Sequence, residues 1–316
     1  MTVSEPEWEL LVRAMRWESD CVISVVLEDP DGGELPAWAP GAHIDLLLPA
    51  ATRQYSLCGD PADRRRYRVA VLNEPASRGG SRYVHESLRP GDLVRVRGPR
   101  NRFALEPAQR YLFIAGGIGV TPLLPMVAQA QADGADWRLV YGGRSRRTLA
   151  FVDELDHHGD RVQVVPEDEA GLLNLADLLG DLRPGTTVYC CGPERLLDAV
   201  EERCAGWPDG TLHLERFRAR EVVVEGEDRP FELVCAASGV TVTVGADESA
   251  VDALDAVQVS IPSACREGIC GTCEVKVLDG VPDHRDSLLT DDERAAGRTI
   301  MLCVSRASGE RLVVDA

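Results

Sequence analysis

The chain has 316 residues, 44% of them hydrophobic and 27% charged, so it is globular and long enough for two or three domains. Its formal net charge of −18 repels nucleic acid backbones and anionic lipid surfaces. The opening "MTVSEPEWELLVRAMRWESD" scatters charge through itself and no run of about eighteen apolar residues occurs elsewhere, which argues against a secretory leader or a spanning helix and points to the cytoplasm.

Residues 1–104 read as short strands, "LLVRAM", "CVISVVLE", "HIDLLLP", "RQYSL", "YRVAVL" and "DLVRVRG", separated by turn signals such as "DPDGG", "PAWAPG" and "RPGD". Strands at this spacing without a helical period predict a small antiparallel β-barrel. In "TRQYSLCG", Arg53 can neutralise a phosphate, Tyr55 can lie along a planar ring, and Ser56 can hydrogen-bond it. Arg78, Gly79, Gly80 and Ser81 in "SRGGSRYVHESL" form a turn able to present N–H groups, a hydroxyl and a guanidinium to a terminal phosphate. Taken singly, each is also an ordinary strand or turn residue.

Residues 105–222 change period. The strands "YLFIAG", "WRLVYG", "VQVVP", "TTVYCCG" and "TLHLERF" alternate with the helical stretches "TPLLPMVAQAQA", "LAFVDELDHH", "NLADLLGDL" and "PERLLDAVEERC". This predicts an α/β domain with a parallel sheet covered on both faces and ligands at the carboxyl ends of its strands. Gly117 and Gly119 lie in "GGIGVTP" between a strand and a helix, where backbone N–H groups can hold a pyrophosphate. The stretch departs from GxGxxG and is weak by itself. At another strand end stand Cys191, Gly192 and Pro193; Cys191 can approach a nicotinamide ring or simply pack as a small apolar side chain.

Residues 223–316 begin within a charged linker, "RARE" to "EGEDR", and go on to the hairpin pattern "FELVCAASGVTVTV". A helix at "SAVDALDAV", a strand at "CEVKVLDG", a short helix near "TDDERAAG" and a last strand "RLVVD" complete an α+β segment. From Glu225 onward there are 18 acidic against 8 basic residues. In "CREGICGTC" Cys265 and Cys270 are separated by four residues and Cys270 and Cys273 by two, and Cys303 stands far downstream. That is the ligand spacing of plant-type 2Fe-2S ferredoxins. Four thiolates also suit zinc, but zinc ligands usually come as two close pairs and Cys303 is alone. Disulfide or core roles remain open, although a reducing compartment disfavours disulfides.

Taken together, "RQYSL", "RGGS", "GGIGVTP", "YGGRSRRTLAFVDEL", "CCGP" and "CREGICGTC" resemble the phthalate dioxygenase reductase branch of the ferredoxin–NADP reductase superfamily, which includes vanillate demethylase reductases. The resemblance covers nearly the whole chain and implies FMN, a 2Fe-2S cluster and NADH as donor. It also implies a terminal oxygenase as acceptor. By position, Arg53, Tyr55 and Ser56 resemble the flavin-binding triplet, and Arg78, Gly79, Gly80 and Ser81 resemble the FMN-phosphate turn. Thr121 resembles a residue near flavin and nucleotide, Gly117 and Gly119 the nucleotide loop, and Cys191, Gly192 and Pro193 the nicotinamide-side loop. Phe217 resembles an aromatic near the flavin. Ser56 and Cys191 are the side chains expected at the hydride-transfer centre. FMN is favoured over FAD because the barrel supplies a phosphate turn and no evident adenosine segment. Arg144 and Ser145 open a basic cluster that can receive a 2′-phosphate, and the resemblance alone keeps NADH ahead of NADPH. The acceptor reads as a Rieske-type oxygenase or a cytochrome P450 carrying a basic docking patch, and the third reading is a non-enzymatic iron–sulfur carrier or redox sensor.

Overall fold

The computed structural model describes residues 6–49, 51–75, 77, 79–180, 184–220 and 227–316. The chain divides into two compact units, Pro6–Glu215 and a C-terminal one beginning at Arg216. Residues 221–226 of the linker and Arg78 lie outside the described residues.

The first half of Pro6–Glu215 is the expected barrel. Its strands are β1 (Glu7–Ser19), β2 (Val22–Glu28), β3 (Ala42–Leu48), β4 (Ala51–Ser56), β5 (Arg66–Leu72) and β6 (Leu93–Asn101), with helix α1 (Gly80–Glu86) between the last two. They pair antiparallel in the order β4-β3-β6-β1-β2-β5. A bridge between Leu57 and Val69 brings the two ends of that order together, as a barrel requires. Alternation along the strands sends Val25, Ile44, Leu46, Val69 and Val96 into one core, the period-two signature of a sheet with one apolar face.

The second half holds β7 (Arg110–Gly116), α2 (Val120–Ala132), β8 (Asp136–Gly143), α3 (Val152–Leu155), β9 (Val162–Pro166), α4 (Glu167–Ala170), α5 (Leu175–Gly180), β10 (Thr186–Cys191), α6 (Glu194–Cys204) and β11 (Leu212–Glu215). The sheet is parallel throughout, ordered β11-β10-β7-β8-β9. Both faces of β7 are buried: Phe113 packs with Leu123 and Tyr141 on one side, Ile114 with Val140 and Leu197 on the other. Its unbroken apolar run follows from that double burial. The helix expected over "LAFVDELDHH" is shorter than its period suggests. Phe151 takes a left-handed conformation at φ 61 and Gly159 breaks the following 3-10 stretch, so only one α-helical turn forms. The barrel and sheet share a core through Val22, Cys58 and Ala70. Arg68 of β5 adds a bidentate bridge to Glu154 of α3 at 2.8 and 2.9 Å.

The C-terminal unit comprises β12 (Phe231–Cys235), β13 (Val240–Val244), α7 (Ala250–Ala256), β14 (Glu274–Asp279), β15 (Pro282–Asp283), α8 (Asp291–Ala296), β16 (Thr299–Met301), β17 (Arg306–Ala307) and β18 (Arg311–Val314). The main sheet runs β13-β12-β18-β14-β16, and β15 pairs with β17. Strands β12 and β13 make the expected hairpin, while β18 enters the middle, parallel to β12. Ser249 accepts the Asp252 N–H at the start of α7, and Thr290 with Glu293 forms a reciprocal cap on α8, which satisfies helix-end donors. No helix among the described residues is long and apolar enough to cross a membrane.

Candidate functional site

Two groups of residues, bridged by Glu215, meet where the barrel joins the carboxyl ends of the parallel strands. In the barrel, Arg53 and Ser56 lie on β4, paired with Leu46 and His43 of β3. Arg53 packs directly on the glycine turn: a Cβ on Gly80 would stand 2.6 Å from its Cγ. Gly79, at φ 103, turns the chain into α1, a backbone that side chains other than glycine rarely take. Ser77 accepts the Gly79 N–H at 3.1 Å and the Ser81 hydroxyl at 2.9 Å. Tyr55 is half-buried against the barrel core, and burial pushes its hydroxyl up to about 12 despite the nearby Arg53. The arrangement suits a phosphate held beside a cation, with a phenol along the neighbouring wall.

The nucleotide side is made of glycine backbone. Gly117 has φ +54 with open space around it, whereas a Cβ on Gly119 would overlap the Cys191 carbonyl. Likewise a Cβ on Gly116 would come 2.6 Å from Pro193, and one on Gly192 would come 2.9 Å from Gly116. The β7–α2 loop and the β10–α6 loop therefore touch through main chain, leaving N–H groups at the sheet edge. Thr121 is buried and donates its hydroxyl to the Ile118 carbonyl at 2.9 Å, which tightens this turn. In the β8 loop, Ser145 and Thr148 form a capping box, and Arg144 is exposed.

Between the two groups stands Glu215, a residue the sequence reading passed over in favour of Phe217. At the end of β11 it is paired with Cys191 of β10. Its Oε2 lies 3.5 Å from the Ser56 hydroxyl, the outer limit of a hydrogen bond, and 3.8 Å from the Cys191 thiol. Burial pushes the carboxyl up to about 8, against the lowering effect of those two donors. This holds the proton on the carboxyl more tightly than in water, beside Ser56 and Cys191. Burial, and then Glu215, lifts the Cys191 thiol well above its ordinary range, so it is an uncharged packing group and no thiolate. Phe217 lies in the C-terminal unit, 37% exposed.

The C-terminal unit gathers the four spaced cysteines. Cys270, Cys273 and Cys303 are buried and Cys265 partly so. The neighbouring Cys265 thiol and burial lift Cys270 above the thiol range. Cys303 feels Cys265, which lowers it, and Cys273 and burial, which together carry it up to about 12. The N–H groups of Glu267 and Thr272 donate to Cys265 Sγ at 3.3 Å and to Cys270 Sγ at 3.4 Å. Gly268 and Gly271 have positive φ, and a Cβ on Gly268 would strike Val304 at 2.6 Å. Three thiols on a glycine-rich loop and a fourth just after β16, with N–H groups aimed at sulfur, fit a 2Fe-2S cluster, whose reduced form such donors stabilise. No group of three or more His, Cys, Asp or Glu arranged to hold a metal ion occurs among the described residues, so the cluster assignment rests on the cysteine spacing and the N–H groups directed at sulfur. Cys58, Cys190, Cys191, Cys204 and Cys235 are buried and Cys21 partly so, all as free thiols. Arg266 is committed to ion pairs with Asp252 and Asp255 on α7.

A closed barrel joined to a doubly wound sheet, with a four-cysteine unit after them, defines a modular iron–sulfur reductase. Residues 233–308 match the 2Fe-2S iron–sulfur cluster binding domain, and residues 94–209 match the N-terminal domain of dimethylamine monooxygenase subunit DmmA-like proteins. The chain is 46% identical over 310 residues to phenoxybenzoate dioxygenase subunit beta of Ectopseudomonas oleovorans, covering 97% of this chain and 96% of that one. The solved structure of phthalate dioxygenase reductase aligns at TM-score 0.72 and 36% identity over 98% of both chains. An intact type IV self-sufficient cytochrome P450 monooxygenase aligns at TM-score 0.91 and 46% identity, covering 100% of this chain and 42% of that one. The chain belongs to the phthalate dioxygenase reductase and vanillate demethylase reductase branch of the ferredoxin–NADP reductase superfamily.

Proposed function

We propose that the protein passes electrons from NADH through FMN and a 2Fe-2S cluster to a partner terminal oxygenase in the cytoplasm. Residues 1–104 would hold the flavin, 105–222 the nucleotide and 223–316 the cluster. The observation that carries this reading is the convergence of Ser56 from the barrel with Gly119, Cys191 and Glu215 from the strand ends. A bound flavin accepts two electrons as hydride and releases them singly, the conversion that a one-electron cluster needs.

The protein's own part is placement. Arg53, Arg78 and the Gly79 and Gly80 N–H groups, with the Ser81 hydroxyl, would anchor the FMN phosphate, and Tyr55 would flank the cofactor. Gly117, Gly119 and Thr121 would hold the nucleotide at the head of α2, with Arg144 and Ser145 at its far end. Gly192 and Pro193 would keep Cys191 against the nicotinamide side, where orientation rather than an acid–base triad lowers the barrier. Ser56 would hydrogen-bond the ring, and the Glu215 carboxyl keeps a proton within its reach. Phe217 is the remaining aromatic assigned to the flavin by position. Cys265, Cys270, Cys273 and Cys303 would hold the cluster.

The acidic C-terminal segment supports a partner that docks through a basic patch, since complementary charge speeds and orients encounter. Anaerobic titration of the purified protein with NADH tests the whole chain of transfer. The expected result is flavin bleaching followed by a reduced 2Fe-2S signal, with FMN released by acid; a preparation without flavin overturns the reading. A cytochrome P450 acceptor is the second reading, favoured by the alignment of this whole chain to part of a self-sufficient P450 monooxygenase. Comparing reduction of a Rieske-type oxygenase with that of a P450 separates the two.

A further inference from the structure

The β8–β9 side of the parallel sheet carries two opposite charges tied together. Arg144, Ser145, Arg146 and Arg147 follow β8 directly, and Glu167, Asp168 and Glu169 form most of α4 directly after β9. In a doubly wound sheet, the strand after the glycine-loop helix ends at the adenosine ribose. There an acidic side chain takes a 2′-hydroxyl and an arginine accommodates a 2′-phosphate. Both chemistries are present here and each occupies the other. Arg146 Nε and Nη2 lie 3.3 and 3.2 Å from the two carboxylate oxygens of Glu169, a fork that uses the geometry a phosphate would need. Two backbone contacts hold the partners in place: Gly143 pairs with Pro166, and the Asp168 N–H donates to the Arg144 carbonyl at 3.2 Å. Arg147 turns away to Asp20 of the barrel at 2.9 Å. That leaves exposed Arg144, the Ser145 turn and Arg146 along the strand end.

We infer that Glu169 sets the choice of pyridine nucleotide by holding Arg146 in this fork, closing a latent 2′-phosphate subsite of Arg144, Ser145 and Arg146. Freed of Glu169, the chain binds NADPH more tightly and uses it more readily as a second donor. The inference rests on the reading that this domain binds nucleotide. The chemistry is the same for either donor: hydride leaves C4 for the oxidised flavin, NAD(P)+ departs, and the 2′-phosphate only adds binding. Glu169 is thus a positioning residue, acting through Arg146. Both side chains of the fork are about half exposed, at 52% and 51%, and exposed ion pairs are weak. A doubly charged phosphate competes with Glu169, so the restraint is a handicap on NADPH and not a bar.

Steady-state oxidation of NADH and NADPH by the holoenzyme, with a neutral quinone as acceptor, tests this in wild type, Glu169→Gln and Glu169→Asp. Glu169→Gln should lower KM for NADPH about fivefold at unchanged kcat and move KM for NADH by less than about twofold. Glu169→Asp should return the ratio toward wild type, and adding Arg146→Gln to Glu169→Gln should abolish the gain. Competition by 2′,5′-ADP against ADP gives the same answer without turnover: only the former should tighten in Glu169→Gln. A donor ratio unchanged by Glu169→Gln in an enzyme that oxidises NADH overturns this inference alone. An enzyme that oxidises neither nucleotide overturns the functional reading and the inference together.

Discussion

Glu215 receives two donors that come from far apart in the chain, the Ser56 hydroxyl and the Cys191 thiol. Its burial has a consequence for stability because the folded carboxyl titrates at about 8 and the free one near 4.5. Between those values the folded state keeps a proton that the unfolded state has lost. Stability from this group is therefore full below about pH 4.5 and declines as pH rises to about 8. Glu215→Gln should flatten that decline, which runs at up to about 1 kcal/mol per pH unit. Thermal melts of both proteins from acid to pH 9 measure it, and parallel curves would mean that the carboxyl is already ionised at neutral pH.

Among elements, the contact between the β7–α2 and β10–α6 loops is the tightest constraint on the nucleotide side. Gly119→Ala pushes a methyl group into the Cys191 carbonyl and should destabilise the protein by about 1–3 kcal/mol while slowing NADH oxidation. Gly117→Ala, with open space around it but φ +54, should cost only about 1 kcal/mol for its backbone. Melting temperatures in which Gly117→Ala falls further than Gly119→Ala would contradict this packing. The glycines were legible as a loop because they stand between an apolar strand and a helical period. The strands of the barrel were legible from their alternation, and the cysteine loop from its spacing. Glu215 was not, because a single carboxylate at a strand end has no spacing signature and its partners lie 159 and 24 residues away. The β15–β17 ladder escaped for a related reason: two residues per strand are too few to alternate. In "LAFVDELDHH" the apolar period was present, but a left-handed Phe151 and the break at Gly159 overrode it.

For the molecule as a whole, the 18 acidic residues against 8 basic ones after residue 224 place more than half of the net charge on the cluster-bearing third. Raising ionic strength from about 50 mM to about 500 mM should slow reduction of the partner oxygenase more than reduction of a neutral quinone, since screening removes long-range attraction. Equal slowing of both would remove charge steering from the account. The two compact units also differ in the order in which synthesis supplies their parts. Every strand of Pro6–Glu215 is available once Glu215 has emerged, whereas the C-terminal sheet waits for β18, which sits between β12 and β14. All four cysteines thus leave the ribosome before the strand that organises their sheet. A message truncated between codons 304 and 311 would yield a chain with every thiol ligand present, a folded Pro6–Glu215 unit, and no scaffold on which to load iron.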